Sequence, residues 1–270
     1  MSFRFAAARP RWPGLVLLVA IGVFLCAALS VPPIVGCRAD ELTVVPDTSF
    51  ITVPTAAAGS TQEKWVCLTF DDGPSRTTRA VLDALDAAGV KATFFVVATG
   101  NNDTYLPLIA EAEAAGHQIA YHSASHEYSD IYEGSAAYWA DLKLLRKRIS
   151  PYADTSRIRY LRFPGGSTNT VSRRYGGKGL MKQLKAEVEA EGLQWVDWNV
   201  CAEDAVGGHP SAADVYRSVV RETGEQTQCI VLMHDSATTG TTAEALPDII
   251  DWYRQNGFAF RTVQEVVPLP

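Results

Sequence analysis

Trp65-Val66-Cys67-Leu68-Thr69-Phe70-Asp71-Asp72-Gly73-Pro74 is the stretch on which the fold turns: an apolar strand runs into two adjacent carboxylates and then a glycine-proline turn. Neighbouring side chains leaving a strand point different ways. Asp71 and Asp72 can therefore take different partners, one a metal ion and the other a proton, a division that two like charges sharing one pocket could not sustain at neutral pH. Alone, Asp-Asp-Gly-Pro is a turn signal, since turns select these residues. Its company downstream lifts it above that. His122-Ser123-Ala124-Ser125-His126 offers two imidazoles at a spacing that can face one ion. Arg162-Phe163-Pro164-Gly165-Gly166-Ser167, Asp197-Trp198-Asn199 with Asp204, and Leu232-Met233-His234-Asp235 follow.

Outward from that stretch the chain alternates strand and helix. Strands are expected at Trp65 to Phe70, Ala92 to Val97, Gln118 to Tyr121, Arg159 to Phe163, Gln194 to Trp198, Gln228 to Met233 and Phe258 to Arg261. Helical faces lie between them. Val81, Leu82 and Leu85 precede a stop at Gly89; Leu142, Leu145 and Ile149 form a second face, and Leu180, Leu184 and Val188 a third. Ser211-Ala212-Ala213-Asp214 reads as a capping box with Asp in place of Glu. Seven strands joined by helices imply an α/β fold with parallel pairing and barrel-like closure. On this reading Asp71 and Asp72 follow the first strand, His122 and His126 the third, Arg162 ends the fourth, Asp204 follows the fifth and His234 the sixth. All fall at carboxyl ends of strands, the rim that carries chemistry in parallel barrels.

Ligand type points to a metal. Asp72, His122 and His126 give one carboxylate and two imidazoles, a set suited to zinc or another borderline divalent ion with positions left for water and substrate. A purely structural site would want a fourth protein ligand, and the motif offers none. His117 and His209 read as structural or exposed.

In this order the motifs resemble those of the polysaccharide deacetylase family, the NodB-homology or carbohydrate esterase family 4 enzymes, over about residues 64 to 265. The resemblance implies a distorted (β/α)7 barrel and one divalent ion, zinc, cobalt or nickel, on Asp72, His122 and His126. It implies Asp71 as general base, Arg162 as the residue holding that base charged and oriented, His234 as general acid and Asp204 as the carboxylate tuning it. The Gly165 N–H corresponds to the oxyanion donor, and Leu232 with Trp198 to walls of the acetyl pocket, for which core packing is the alternative. Many relatives carry an aromatic where this chain has Gly165, and begin their fourth motif with Asp where it has Cys201, so sugar stacking is expected to be weaker or differently placed. The implied reaction is hydrolysis of the acetamide of an N-acetylated polysaccharide, GlcNAc of peptidoglycan foremost. An O-acetyl esterase acting on another polysaccharide is one alternative, and a non-catalytic glycan-binding domain is the other.

Composition agrees with one domain after an export segment. The 270 residues carry a formal net charge of −6, and residues 1–36 hold Arg4, Arg9 and Arg11 with no acid, so the remainder is more acidic still. Such a chain is a poor nucleic-acid binder. Arg4, Arg9 and Arg11 precede an apolar run from Leu15 to Leu29, giving residues 1–37 as signal peptide, lipoprotein signal or membrane anchor. Left whole, Leu15 to Val35 is long enough to span a bilayer; Ile34-Val35-Gly36-Cys37 fits a lipobox, and a cut after Ser30 would release the protein. Each outcome puts the domain at 64–270 outside the cytoplasm, behind a linker at 38–63. Of the remaining cysteines, Cys67 and Cys229 sit in expected strands, where burial as free thiols or a mutual disulfide are the alternatives.

Overall fold

The computed structural model describes residues 63–270. The expected export segment and nearly all of the linker lie outside the described residues. Among those described, no helix is long and apolar enough to cross a membrane.

The strands are β1 (Trp65–Asp71), β2 (Thr93–Val97), β3 (Gln118–Ser123), β4 (Tyr160–Leu161), β5 (Gln194–Trp195), β6 (Val200–Cys201), β7 (Gln228–His234) and β8 (Ala259–Phe260). The helices are α1 (Thr78–Ala88), α2 (Pro107–Ala114), α3 (Tyr128–Ile131), α4 (Ser135–Ile149), α5 (Val171–Gly176), α6 (Leu180–Ala190), α7 (Ala212–Thr223), α8 (Gly240–Gln255) and α9 (Val263–Val266). The three apolar helical faces expected from sequence are all buried, on α1, α4 and α6. Gly89 ends α1 in the left-handed region, φ 63, where its missing Cβ removes the strain. The Ser211–Asp214 capping box starts α7.

All strand pairs are parallel, in the order β5-β4-β3-β2-β1-β7-β6, with β8 added beside the first residues of β1. The sheet curls into the distorted barrel expected, and its closure has a particular form. No ladder joins the edges β5 and β6; residues 196–199 cross from one to the other. Val196 N–H donates to Leu161 O on β4 and Asn199 N–H to Ile230 O on β7. The Asn199 side chain completes the seam, accepting from Ile230 N–H at 2.7 Å and donating to Gln228 O at 2.8 Å, as a strand backbone would. This crossing corrects the expected strand at Gln194 to Trp198, which stops at Trp195, and an unanticipated β6 follows it.

Period-two alternation sorts the residues onto two faces. Val66, Leu68, Phe70, Phe94, Val96, Ile119, Tyr121, Val231 and Met233 face the helices in the main core. Cys67, Phe95, Ala120, Tyr160 and Ile230 fill the barrel interior. Two residues beyond Ala120, Tyr160 and Ile230 on the same face come His122, Arg162 and Leu232, and a further step reaches His234; on β1 the interior column Cys67, Thr69, Asp71 ends likewise at the rim. Cys67 pairs in register with Ile230 rather than Cys229, and the two cysteines belong to opposite faces of the sheet. Both are therefore buried free thiols.

Candidate active site

The rim at the carboxyl ends of the strands gathers the motif residues. Arg162 is fully buried and spends its donors inward: Nη1 on Asp71 Oδ1 and on Thr69 Oγ1, both at 2.8 Å, Nε on Val196 O at 3.1 Å, and Nη2 on Asp197 O at 3.2 Å. Its guanidinium lies 4.1 Å from the Phe95 ring centroid. A buried pair so bonded is no surface ion pair, and removing one partner would strand a charge in the interior. Asp71 keeps Oδ2 for the site, 3.8 Å from His122 Nε2.

Asp72 turns the other way. Its φ of 67 places it in the left-handed region, unusual for a non-glycine residue though least so for Asp and Asn. Oδ1 then lies 3.4 Å from His122 Nε2 and 3.2 Å from His126 Nε2. Burial opposes ionisation of this carboxyl, yet the facing His126, His122 and His234 imidazoles hold it well below the usual carboxylate range. His122 Nδ1 meets Arg162 O at 2.8 Å; a carbonyl only accepts, so that nitrogen carries the proton and Nε2 presents a lone pair. One donor atom from each of Asp72, His122 and His126 falls within 4.8 Å of the others. Asp72 Oδ1 is buried and makes no hydrogen bond among the described residues. An orphaned carboxylate oxygen facing the Nε2 atoms of two imidazoles is a donor set that fits a borderline divalent cation.

Behind this cluster stands Asp141 of α4. Its carboxylate accepts from Ser123 Oγ and Ala124 N–H, each at 2.8 Å, and from Ser125 N–H and Oγ at 2.9 and 2.8 Å. Ser123 Oγ in turn accepts from His126 N–H. The turn between the two histidines is thus wound around one carboxylate. Opposite the cluster, Asp204 is wholly engaged: Oδ1 with His234 Nδ1 at 2.8 Å, Oδ2 with His234 N–H and Thr242 Oγ1 at 2.7 Å each. Burial pulls the His234 imidazole down, and the Asp204 charge overcomes it, keeping the ring protonated to higher pH than an ordinary histidine. The strand preceding Asp204 is β6, not the fifth strand expected.

Under the rim, Gly73 has no room for a side chain: a Cβ there would lie 2.0 Å from Asp235 Oδ2. The Gly73–Pro74 peptide is cis. Asp235 N–H donates to Asp71 O, Ser75 Oγ donates to Asp235 O at 2.6 Å, and Thr78 Oγ1 to Asp235 Oδ2 at 2.5 Å, so the residue after His234 braces the carboxylate loop. Leu232 is buried. The Trp198 ring lies against Gly166, where a Cβ would approach to 3.0 Å, and 5.5 Å from the Arg162 guanidinium. Gly165, φ 77, packs against Tyr128, whose hydroxyl would be 3.3 Å from a Cβ at 165. A tyrosine from α3 thus covers the turn where the side chain is missing. Burial, then the Asp72 and Asp71 charges, push its phenol up to about 12. His117 accepts from Ala92 N–H and is buried away from the rim, and His209 is exposed, as expected of both.

Tyr128 and Asp141 were not singled out from sequence, and Asp197, quoted there within its motif, had no role assigned; its carboxylate holds Ser167 N–H and Oγ at 2.8 and 2.6 Å. Only Tyr128, two residues after His126, had a local signal; the other two act across the fold.

Residues 58–180 match the family model for polysaccharide deacetylase. The chain is 38% identical to the catalytic domain of a peptidoglycan N-acetylglucosamine deacetylase from Eubacterium rectale, covering 80% of this chain and 96% of that one with a TM-score of 0.70. It is 31% identical over 220 residues to the peptidoglycan-N-acetylglucosamine deacetylase PgdA of Listeria monocytogenes, covering 81% of this chain and 42% of that longer protein. A family 4 acetyl xylan esterase from Clostridium thermocellum, solved in complex with a cobalt ion, is 30% identical with a TM-score of 0.58 over 75% of this chain and 89% of that one. With its fold, its rim and these likenesses in agreement, the chain belongs to the polysaccharide deacetylase family, carbohydrate esterase family 4.

Proposed function

We propose that this protein removes acetyl groups from N-acetylated amino sugars of a cell-wall polysaccharide, with peptidoglycan GlcNAc as the leading substrate. The observation that carries the reading is the divergence of two neighbouring carboxylates, Asp72 toward two imidazoles and Asp71 toward a buried arginine. Asp72, His122 and His126 would hold one divalent ion, zinc foremost and cobalt or nickel as alternatives. When bound it supplies a water of lowered pKa and polarises the acetyl carbonyl. Asp71, its Oδ1 fixed by Arg162, takes the proton of the attacking water on Oδ2. The Gly165 N–H donates to the carbonyl oxygen as charge gathers there. His234, its Nδ1–H held by Asp204, gives a proton from Nε2 to the amine nitrogen as the carbon–nitrogen bond breaks, leaving acetate and a free amine. Leu232 and Trp198 wall the acetyl methyl, and Tyr128 offers a stacking face to the sugar.

The test is acetate release from N-acetylglucosamine oligomers and from peptidoglycan, before and after chelation and with zinc or cobalt restored. Release abolished by chelator and restored by metal is expected; none from any glycan with metal present would contradict the reading. The likeness to an acetyl xylan esterase favours one second reading, O-deacetylation, which acetylated xylan in the same assay separates. We further propose that the domain works outside the cytoplasm, tethered through residues 1–37, on the basis of Arg4, Arg9, Arg11 and the apolar run after them. Cell fractionation finding the full chain soluble in the cytoplasm would contradict that placement.

A further inference from the structure

A row of four rings runs from the imidazole pair to the Phe163–Gly166 turn, with centroids 5.2 Å apart from His122 to His126, 5.5 Å on to Tyr128 and 6.1 Å on to Tyr132. At its far end the fully buried Tyr132 donates its hydroxyl to Pro164 O at 2.7 Å. Gly166 N–H bonds back to Phe163 O at 2.7 Å, and Gly165, third in the turn, has φ 77. Pro in the second place and a positive φ in the third define a type II turn.

The central peptide of this turn joins Pro164 to Gly165. In a trans peptide the C=O and N–H point in opposite directions. With the Pro164 carbonyl anchored on the buried Tyr132, the Gly165 N–H is turned away from that anchor, and it makes no hydrogen bond among the described residues. Glycine makes the anchor matter. A residue without Cβ accepts a negative φ as readily as a positive one, so a rotation of the central peptide would convert the turn to type I. That flip would replace the N–H donor by the negative end of the Pro164 carbonyl.

We propose that Tyr132 is a positioning residue whose hydroxyl, bonded to the Pro164 carbonyl, keeps the 164–165 peptide in the orientation that presents the Gly165 N–H to the oxyanion, a role that rests on the deacetylase reading above. Tyr132 is fully buried and has no surface to offer a substrate. Its loss is felt in the transition state, where the donor is used, and not in ground-state binding.

The experiment compares Tyr132→Phe with the wild-type protein on N-acetylglucosamine oligomers, measuring kcat, KM, bound metal and affinity for a phosphonamidate analogue of the acetamide. The variant is expected to lose about tenfold or more in kcat, with KM within about twofold of wild type and metal content unchanged. Its affinity for the tetrahedral analogue should fall in step with kcat, and 4-aminophenylalanine at 132, which restores an N–H donor, should recover both. An active wild type beside a variant whose kcat is within about twofold of it would overturn the role of Tyr132, as would a fall in kcat accompanied by loss of metal or by unchanged affinity for the analogue. A wild-type protein that releases no acetate overturns the underlying reading instead, and is seen before any variant is made. Should Tyr132→Phe fail to fold, 4-aminophenylalanine against 4-fluorophenylalanine at 132 carries the same comparison of donor and non-donor.

Discussion

The left-handed backbone of Asp72 is the smallest feature with a large consequence, because it swings one of two adjacent carboxylates onto the imidazoles while its neighbour stays at the end of β1. The two histidines then depend on Asp141, whose carboxylate receives four donors from residues 123–125. Asn in its place would offer one acceptor oxygen and turn an amide N–H toward two of those donors. Asp141→Asn should therefore weaken metal affinity by about tenfold or more, read by competition with a chromophoric chelator, while the domain stays folded. Unchanged affinity would show that the turn holds its shape without the carboxylate. Across the rim, Asp204 raises the proton affinity of His234. Asp204→Asn removes that charge, so His234 should lose its proton at lower pH and the alkaline limb of the kcat profile should move down by about one unit or more. An alkaline limb that stays in place would remove His234 from the role of proton donor.

At the scale of elements, legibility followed burial. β1 and β7 are continuous apolar runs because they are covered on both faces, and sequence marked each within one residue of its observed end. The seam did not read the same way. Gln194 to Trp198 looks like one strand, yet the chain crosses between sheet edges at residues 196–199, and a pairing supplied by the Asn199 side chain leaves no period to detect. Asp71, Asp72, His122 and His126 could be proposed from sequence because they fall in two short motifs, Asp71-Asp72 and His122 to His126; Tyr132 and Asp141 could not, because each acts on a turn distant in sequence. Gly73 and Gly89 separate two uses of glycine. Gly73→Ala would drive a methyl into Asp235 and should cost about 1–3 kcal/mol in urea unfolding and most of the turnover. Gly89→Ala meets no neighbour within 4 Å and should cost only about 1 kcal/mol, from its positive φ, with turnover intact. Equal and negligible losses for both would contradict the bracing of the carboxylate loop.

Across the described domain, one curled sheet with its helices presents the titrating groups of the rim on the same end, while a buried histidine away from the rim, His117, also ties stability to pH. His117, far from the rim, accepts from Ala92 N–H, and burial, aided by Lys91, pushes its imidazole down to about 4. In the unfolded chain it titrates near its ordinary value of about 6.5. Between those values the unfolded state binds the extra proton, so stability present above pH 6.5 should decline as pH falls toward 4, by up to about 3 kcal/mol from this residue. His117→Asn, which keeps an acceptor for Ala92, should flatten that decline; an unchanged slope would assign it to other groups. The central claim is the division of labour between Asp71 and Asp72. It is tested most directly by the metal content of purified Asp71→Asn and His126→Ala proteins, measured beside their acetate release. Asp71→Asn should keep the ion and lose turnover, and His126→Ala should lose both; an Asp71→Asn protein that remains fully active would contradict the account.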